Sequence, residues 1–379
     1  MHVRPSFIVV AAVLTLVIAS CEQEQSSNTV LPKQDDTVTQ TVSDWRLPDE
    51  SEPHARTWMA FATREDIWGD DLLWRVQEDI ARIANTIVAF EPVSILVRPE
   101  DRSIAESLLD DEIEIVEAVI DDLWIRDTGA CFVVNSNGSL GAVDLNFNGW
   151  GNKQEHGDDA AVAALLARRT DAEHIRANLI GEGGGIEVDG HGTAIITESC
   201  FVNTNRNPGM SRNEIEAELN ALFGLRKIIW LPGIAGKDIT DGHTDFYARF
   251  VWPGVVVAAL DTDPASFDHA VTKRHLEILR AATDADGRAL KVFTLETPQD
   301  IRDEFAGDDF AAGYVNFYVC NGAVIAPEFG DAEADAAARR TLEKLFPTRT
   351  IVQIDIDGIA AGGGGIHCAT MQQPRSNAH

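Results

Sequence analysis

The 379-residue sequence predicts an α/β fold. From Trp45 onward, short apolar runs of strand length alternate with amphipathic stretches of helical period, and no long linker divides them. Two glycine runs of similar form, Glu182-Gly-Gly-Gly-Ile186 and Gly363-Gly-Gly-Ile366, lie far apart in the chain. Such an echo suggests a repeated supersecondary unit with pseudo-symmetry.

The first residues stand outside that fold. Arg4 precedes an almost unbroken apolar run, Phe7 to Ile18. As a helix this run would rise about 18 Å, short of a hydrocarbon core of roughly 30 Å. Residues 1–20 therefore read as a signal peptide. Its end, Ile18-Ala19-Ser20-Cys21, resembles the bacterial lipobox, which implies acylation at Cys21. The expected product is an exported protein, lipid-anchored to the bacterial cell envelope and touching the membrane only through its acyl chains. Residues 21–43 are rich in Gln, Ser, Thr and Asp and predict a flexible polar tether. Residues 44–376 remain as one folded domain.

Within it, Leu73, Val76, Ile80, Ile83 and Ile87 recur at helical spacing and predict a helix over Asp70–Ala89. A strand follows at Val93–Val97, then a helix at Ser103–Leu109 and a strand at Ile113–Ala118. Further helices are expected at 158–168, 212–223, 264–282 and 331–346. Strands fall between them at 194–197, 227–230, 255–259 and 323–326. No Gly-x-Gly-x-x-Gly follows a first strand and no Walker-type loop is present, so nucleotide binding lacks support.

With 61 Asp and Glu against 31 Lys and Arg, the formal charge is −30. Such a chain repels phosphate backbones and anionic membrane surfaces, which argues against a nucleic-acid partner. The excess suits a cationic substrate, and equally a solubility or salt-tolerance role. Five cysteines, Cys21, Cys131, Cys200, Cys320 and Cys368, match no zinc or disulfide spacing. Cys131, Cys200 and Cys320 lie in apolar, strand-like runs and read as buried free thiols.

Candidate chemistry concentrates in a few places. In Asp241-Gly-His243-Thr-Asp245, an extended backbone would point His243 and Asp245 to one face. A carboxylate beside an imidazole raises its pKa and orients it for proton transfer. Alone, such a pair is more often structural than catalytic. Asp127, in Trp124-Ile-Arg-Asp-Thr-Gly129, and Glu182, before its glycine run, could each be ordinary loop carboxylates. Cys368, after four glycines and His367, is the most unusual feature. A cysteine held by backbone at a solvent-open site would be a candidate thiolate, with an inert buried thiol as the alternative.

Taken together, these segments resemble the agmatine deiminase and bacterial peptidylarginine deiminase family, within the guanidino-group modifying superfamily. The matching stretches are Trp58–Phe61, Trp124–Gly129, Asp144–Gly151, Glu182–Ile186, Thr197–Pro208, Asp241–Asp245, Asn316–Pro327 and Gly362–Pro374. They run in family order and span nearly all of residues 45–375. The resemblance implies a five-bladed α/β propeller with pseudo-fivefold symmetry, a pentein, and makes 44–376 a deiminase catalytic domain.

It also implies roles. Cys368 would be the nucleophile, His243 the general acid/base and Glu182 the carboxylate that places the histidine. Asp127 and Asp245 would grip a guanidinium, with Trp124 and Asn316 also on the substrate. No metal and no cofactor is required. The chain departs from the family pattern at Ala130, Gly185, Glu187 and Met371, none of which removes a catalytic group.

The Phe147–Gly151 segment looks like the agmatine type, which makes a small cationic guanidine the expected substrate and N-carbamoylputrescine and ammonia the expected products. An exported protein would meet arginine-containing peptides more readily, so a peptidyl- or free-arginine deiminase is the alternative. A non-catalytic surface binder is the remaining reading.

Overall fold

The computed structural model describes residues 44–376 apart from 63, 306, 308 and 309. The signal peptide, the lipidated Cys21 and the tether expected over 1–43 lie outside the described residues. Among the described residues, no helix is long and apolar enough to cross a membrane.

The strands form five separate small sheets, and one pattern recurs. The third sheet shows it most simply. Ile186–Val188 pairs antiparallel with Thr193–Thr197, helix Arg212–Phe223 crosses over, and Lys227–Leu231 returns parallel to the middle strand. That helix opens on a Ser211/Glu214 capping box and stops at Gly224, which is left-handed at φ 66°. A parallel return needs such a crossover, whereas the antiparallel pair needs only a tight turn.

The second sheet (131–135, 140–144, 173–176), the fourth (248–252, 255–260, 291–296) and the fifth (318–320, 323–328, 350–355) repeat the unit. The first sheet closes the circuit. Its His54–Ala60 strand takes its antiparallel partner from the far end of the chain, Met371–Pro374, with Met371 opposite Trp58.

Alternation along the middle strands explains why the sheets pack side by side. Successive side chains point to opposite faces, so Ala194 and Ile196 enter the apolar cluster shared with the second sheet. Ile195 enters the cluster shared with the fourth. In the fourth sheet, Val256 and Ala258 face back to the third, while Val255, Val257 and Ala259 face the fifth and first. Trp58, Ala60 and Leu96 of the first sheet meet Phe132 and Ala142 of the second. Every sheet is thus buried on both faces by its neighbours, which makes five blades in a ring.

Most predicted elements sit within a few residues of their expected positions. Two local readings change. Cys200 lies in a short helix, Glu198–Phe201, because the chain turns away from the sheet after Thr197. Thr244–Phe246 is a 3-10 turn and the strand begins only at Ala248, so His243 and Asp245 do not share an extended segment.

Candidate active site

Each blade's antiparallel pair is entered by a polar segment, and the five entries converge. Asp127 precedes the strand at 131, Glu182 that at 186, and His243 with Asp245 that at 248. Asn316 precedes the strand at 318, and His367-Cys368 that at 371. The repeat therefore gathers residues scattered over the chain, and each is buried. A β-carbon added to Gly184 would come within 2.6 Å of His243 Nδ1, 2.8 Å of Asp127 Oδ1 and 3.1 Å of Asp245 Oδ2. Only glycine lets the backbone pass among these three groups. Gly364 does the same beneath Trp124, whose ring atoms would lie 2.2 Å from an added β-carbon.

The Trp124–Thr128 turn is tied to the backbone of Cys368, since Arg126 N donates to Cys368 O at 3.1 Å. Asp127 accepts from Trp150 Nε1 at 2.9 Å and from Gly184 N at 3.0 Å. Trp150 reaches it from a left-handed backbone, φ 53° and ψ 44°, a costly conformation for a bulky aromatic. Edge-on packing against Phe147, with ring centres 5.0 Å apart, holds it there.

His243 sits between two carboxylates. Nδ1 lies 3.6 Å from Asp127 and Nε2 3.5 Å from Glu182. Neither ring nitrogen has a hydrogen-bond partner, and Asp245 Oδ1 has none either. Buried polar atoms are normally partnered; the free Asp245 oxygen belongs to the carboxylate whose other oxygen lies 3.5 Å from Cys368 Sγ, and it is the kind of acceptor that a guanidinium's fork of donors would use. Glu182 is itself held through both oxygens by Arg206 Nε, at 2.8 and 2.9 Å. Arg206 continues to Asp241 and to Thr240 O.

Cys368 Sγ lies 3.5 Å from Asp245 Oδ2 and takes the Asn316 amide at 3.4 Å. Asn316 Oδ1 accepts from His367 N at 3.0 Å. The amide expected on the substrate thus contacts Cys368 as well. Contrary to a solvent-open site, Cys368 is only 6% exposed. Burial, with the Asp245 and Asp127 charges, pushes its thiol well above the usual range.

Burial alone would lower the His243 pKa, but Asp127, Cys200 and Glu182 outweigh it and hold it well above the ordinary value. Burial raises the Asp127 carboxyl, and the opposing pull of His243 does not cancel that. Asp245 is instead held low, because His367 offsets the cost of its burial.

Several supporting residues carried no motif in the sequence. Glu50, from the loop before the first sheet, lies 2.9 Å from His367 Nε2, and His367 Nδ1 lies 2.8 Å from Asp245. Arg126 and Arg249 both donate to Glu50. The chain's departures from the family pattern fit this packing. Glu187 is buried on Arg249 and accepts from Phe250 N, and a β-carbon at Gly185 would come 2.8 Å from the Phe201 ring. Cys131, Cys200 and Cys320 are buried and free. Among the described residues, one group of three potential metal ligands occurs, Glu182, Cys200 and His243.

A cavity of about 240 Å3 opens onto Cys368 and Asp127, walled by Trp68, Trp124, Trp150 and Phe246. Its described lining holds no Lys or Arg, and its charged members are Asp122 and Asp127. Lys153 is engaged by Asp241 at 2.8 Å and Ile239 O at 2.9 Å, and Lys237, over the Phe267 ring at 5.9 Å, lines an adjoining cavity of about 600 Å3 that shares Ile239, Thr240 and Phe246 with this one. The arrangement can bind a planar cation, attack it with sulfur and move protons through one imidazole.

Comparison with known proteins agrees. Residues 46–374 match the model of the Porphyromonas-type peptidyl-arginine deiminase family. An agmatine deiminase of Stutzerimonas stutzeri is 38% identical over 364 residues, covering 89% of this chain and 98% of its own. One from Medicago truncatula is 35% identical, with 89% and 98% covered. The solved agmatine deiminase of Enterococcus faecalis superposes with a TM-score of 0.83 at 32% identity, covering 88% of this chain and 96% of that one. The chain belongs to the Porphyromonas-type peptidyl-arginine deiminase family and carries its guanidine-modifying pentein fold.

Proposed function

We propose that this protein is an agmatine deiminase, hydrolysing agmatine to N-carbamoylputrescine and ammonia. The observation that carries this choice is the cavity without a cation. Free arginine or a peptide ending in arginine brings a carboxylate, which needs a cationic partner once desolvated. Agmatine brings none, and the aromatic walls suit its tetramethylene chain. The agmatine deiminases of S. stutzeri, M. truncatula and E. faecalis support the same reading.

In this mechanism Asp127 and Asp245 pair with the guanidinium and hold its central carbon over Cys368 Sγ. The incoming cation offsets the two charges that keep the thiol protonated, and the thiol gives its proton to solvent, from which the departing ammonia later takes one. The thiolate then attacks the carbon to give a tetrahedral adduct. His243, as imidazolium, protonates one terminal nitrogen; the C–N bond breaks, ammonia leaves and an S-alkylthiouronium remains. Neutral His243 next takes a proton from water, whose oxygen adds to the same carbon. The Cys368 sulfur leaves and takes up the adduct's hydroxyl proton, which gives the ureido product and restores the thiol, with His243 again an imidazolium. Glu182, fixed by Arg206, holds His243 in place throughout.

The family's peptidyl-arginine name keeps a second substrate in view. Incubation with agmatine, free arginine and a peptide ending in arginine, with ureido product and ammonia measured, decides among them. Turnover on agmatine at least tenfold above the others is expected; turnover only on the peptide would reverse the choice. We also propose export and acylation at Cys21, supported by the Ile18–Cys21 sequence. Palmitate incorporation lost in Cys21→Ala is expected, and incorporation retained there would contradict it.

A further inference from the structure

We propose that Glu182, Cys200 and His243 form a binding site for a thiophilic divalent cation of the zinc class, and that its occupation inhibits the enzyme. The inhibitory effect rests on His243 being the proton-transfer group; the binding site itself does not.

Cys200 enters from the Glu198–Phe201 helix, beside the glycine run, where a β-carbon at Gly185 would come 3.3 Å from its Sγ. Its Sγ lies 3.4 Å from Glu182 Oε2, and His243 Nε2 lies 3.5 Å from the same oxygen. All three ligand atoms fall within 4.8 Å of one another. Bonds of roughly 2.0 Å to oxygen, 2.1 Å to nitrogen and 2.3 Å to sulfur in a tetrahedral centre separate neighbouring donors by about 3.3 to 3.6 Å. The sulfur–oxygen and nitrogen–oxygen edges of this triangle, 3.4 and 3.5 Å, already have that length. Thiolate, imidazole and carboxylate are also the donor types that select zinc over magnesium or calcium.

Two further features favour binding. His243 is 1% exposed and its ring nitrogens have no hydrogen-bond partner, so a metal on Nε2 would replace only the 3.5 Å ion-pair contact with Glu182. Arg206 fixes Glu182 and is neutralised on its other side by Asp241, which makes the carboxylate a pre-oriented ligand. On binding, the Cys200 thiol and the His243 imidazolium each release a proton as the dication enters, so the net charge of the buried cluster is unchanged. The fourth position is left for water. With Nε2 on a metal, His243 can neither protonate the leaving nitrogen nor accept a proton from water.

The test uses cobalt(II) as the probe. Cobalt is titrated into the full chain carrying Cys368→Ala, which removes the proposed nucleophile as a competing thiolate. A near-ultraviolet thiolate-to-cobalt band with tetrahedral visible bands is expected, abolished by added zinc. The same bands are expected to vanish in Cys368→Ala/Cys200→Ala, with Cys368→Ala/Cys200→Ser as the second variant if the first does not fold. No thiolate band in Cys368→Ala, or a band that survives loss of Cys200, overturns the site. With Cys368 intact, zinc should suppress turnover of agmatine, and Cys200→Ala or Cys200→Ser should raise the half-inhibitory concentration at least tenfold. An unchanged value overturns the inhibitory role. If no guanidine is turned over, the cobalt spectra still decide the site, so the two failures are distinguishable.

Discussion

Asp127→Asn is expected to separate activity from stability. Each Asp127 oxygen already accepts one hydrogen bond, from Trp150 Nε1 or from Gly184 N. Each keeps a lone pair for the substrate. Asparagine has a single oxygen, so its amide nitrogen must face one of those two donors. Removing one partner of a buried, hydrogen-bonded charge pair costs about 2 to 5 kcal/mol. At about 1.36 kcal/mol per tenfold, kcat/KM on agmatine falls roughly 30- to 5,000-fold.

Stability should not fall with it. Burial, with Glu182 and Asp245 nearby, raises the Asp127 carboxyl in the folded protein. A raised folded pKa means that the ionised group costs stability at pH above its unfolded value of about 3.9. Asparagine removes that cost, which offsets the unmet donor its amide nitrogen leaves at Trp150 or Gly184, worth about 1 to 3 kcal/mol, so at pH 7 the free variant stays within about 1 kcal/mol of the parent in urea. The offset disappears below about pH 4, where the unfolded carboxyl also binds its proton. Initial rates and urea titrations followed by tryptophan fluorescence measure both quantities. A loss of less than fivefold in kcat/KM, or a loss of more than about 1 kcal/mol in stability, would refute the reasoning.

Arg206→Met should behave in the opposite way. It leaves Glu182 without its guanidinium, so a destabilisation of about 3 to 5 kcal/mol in urea is expected, partly recovered by Arg206→Lys; an unchanged midpoint contradicts this. Trp150→Phe keeps the ring against Phe147 but removes one donor from Asp127, worth about 1 to 3 kcal/mol, or roughly a 5- to 150-fold drop in kcat/KM; parental kinetics would show that the indole N–H is idle. Iodoacetamide alkylation of Cys368 in the free enzyme should be slow at pH 7 and still rising past pH 9, because burial and two carboxylates keep the thiol protonated. A rate that levels off below pH 8 would place the thiolate in the free enzyme and remove the substrate's part in forming it.

The blade elements were legible in the sequence because each strand and helix writes its own period in apolar residues. Val93–Val97 and Arg212–Phe223 are where that period places them. The ring was legible only through resemblance, since its closure pairs Met371 with Trp58 across almost the whole chain. The same holds for the site. Cys368, His243, Asp127, Asp245 and Glu182 stand in motifs beside glycines and could be picked out one by one. What supports them could not. Glu50 meets Arg126, Arg249 and His367 across separations of 76, 199 and 317 residues, and buried charge pairs leave no local pattern. Cys200 read as an inert thiol because nothing near it in sequence shows that its sulfur lies against Glu182.

The most direct test of the central claim is intact-protein mass spectrometry of the enzyme acid-quenched during turnover of agmatine, followed by peptide mapping. A mass increase equal to agmatine minus ammonia, located on Cys368 and missing from Cys368→Ala, is the predicted result. Product formation with no adduct in the parent and undiminished turnover in Cys368→Ala would contradict it.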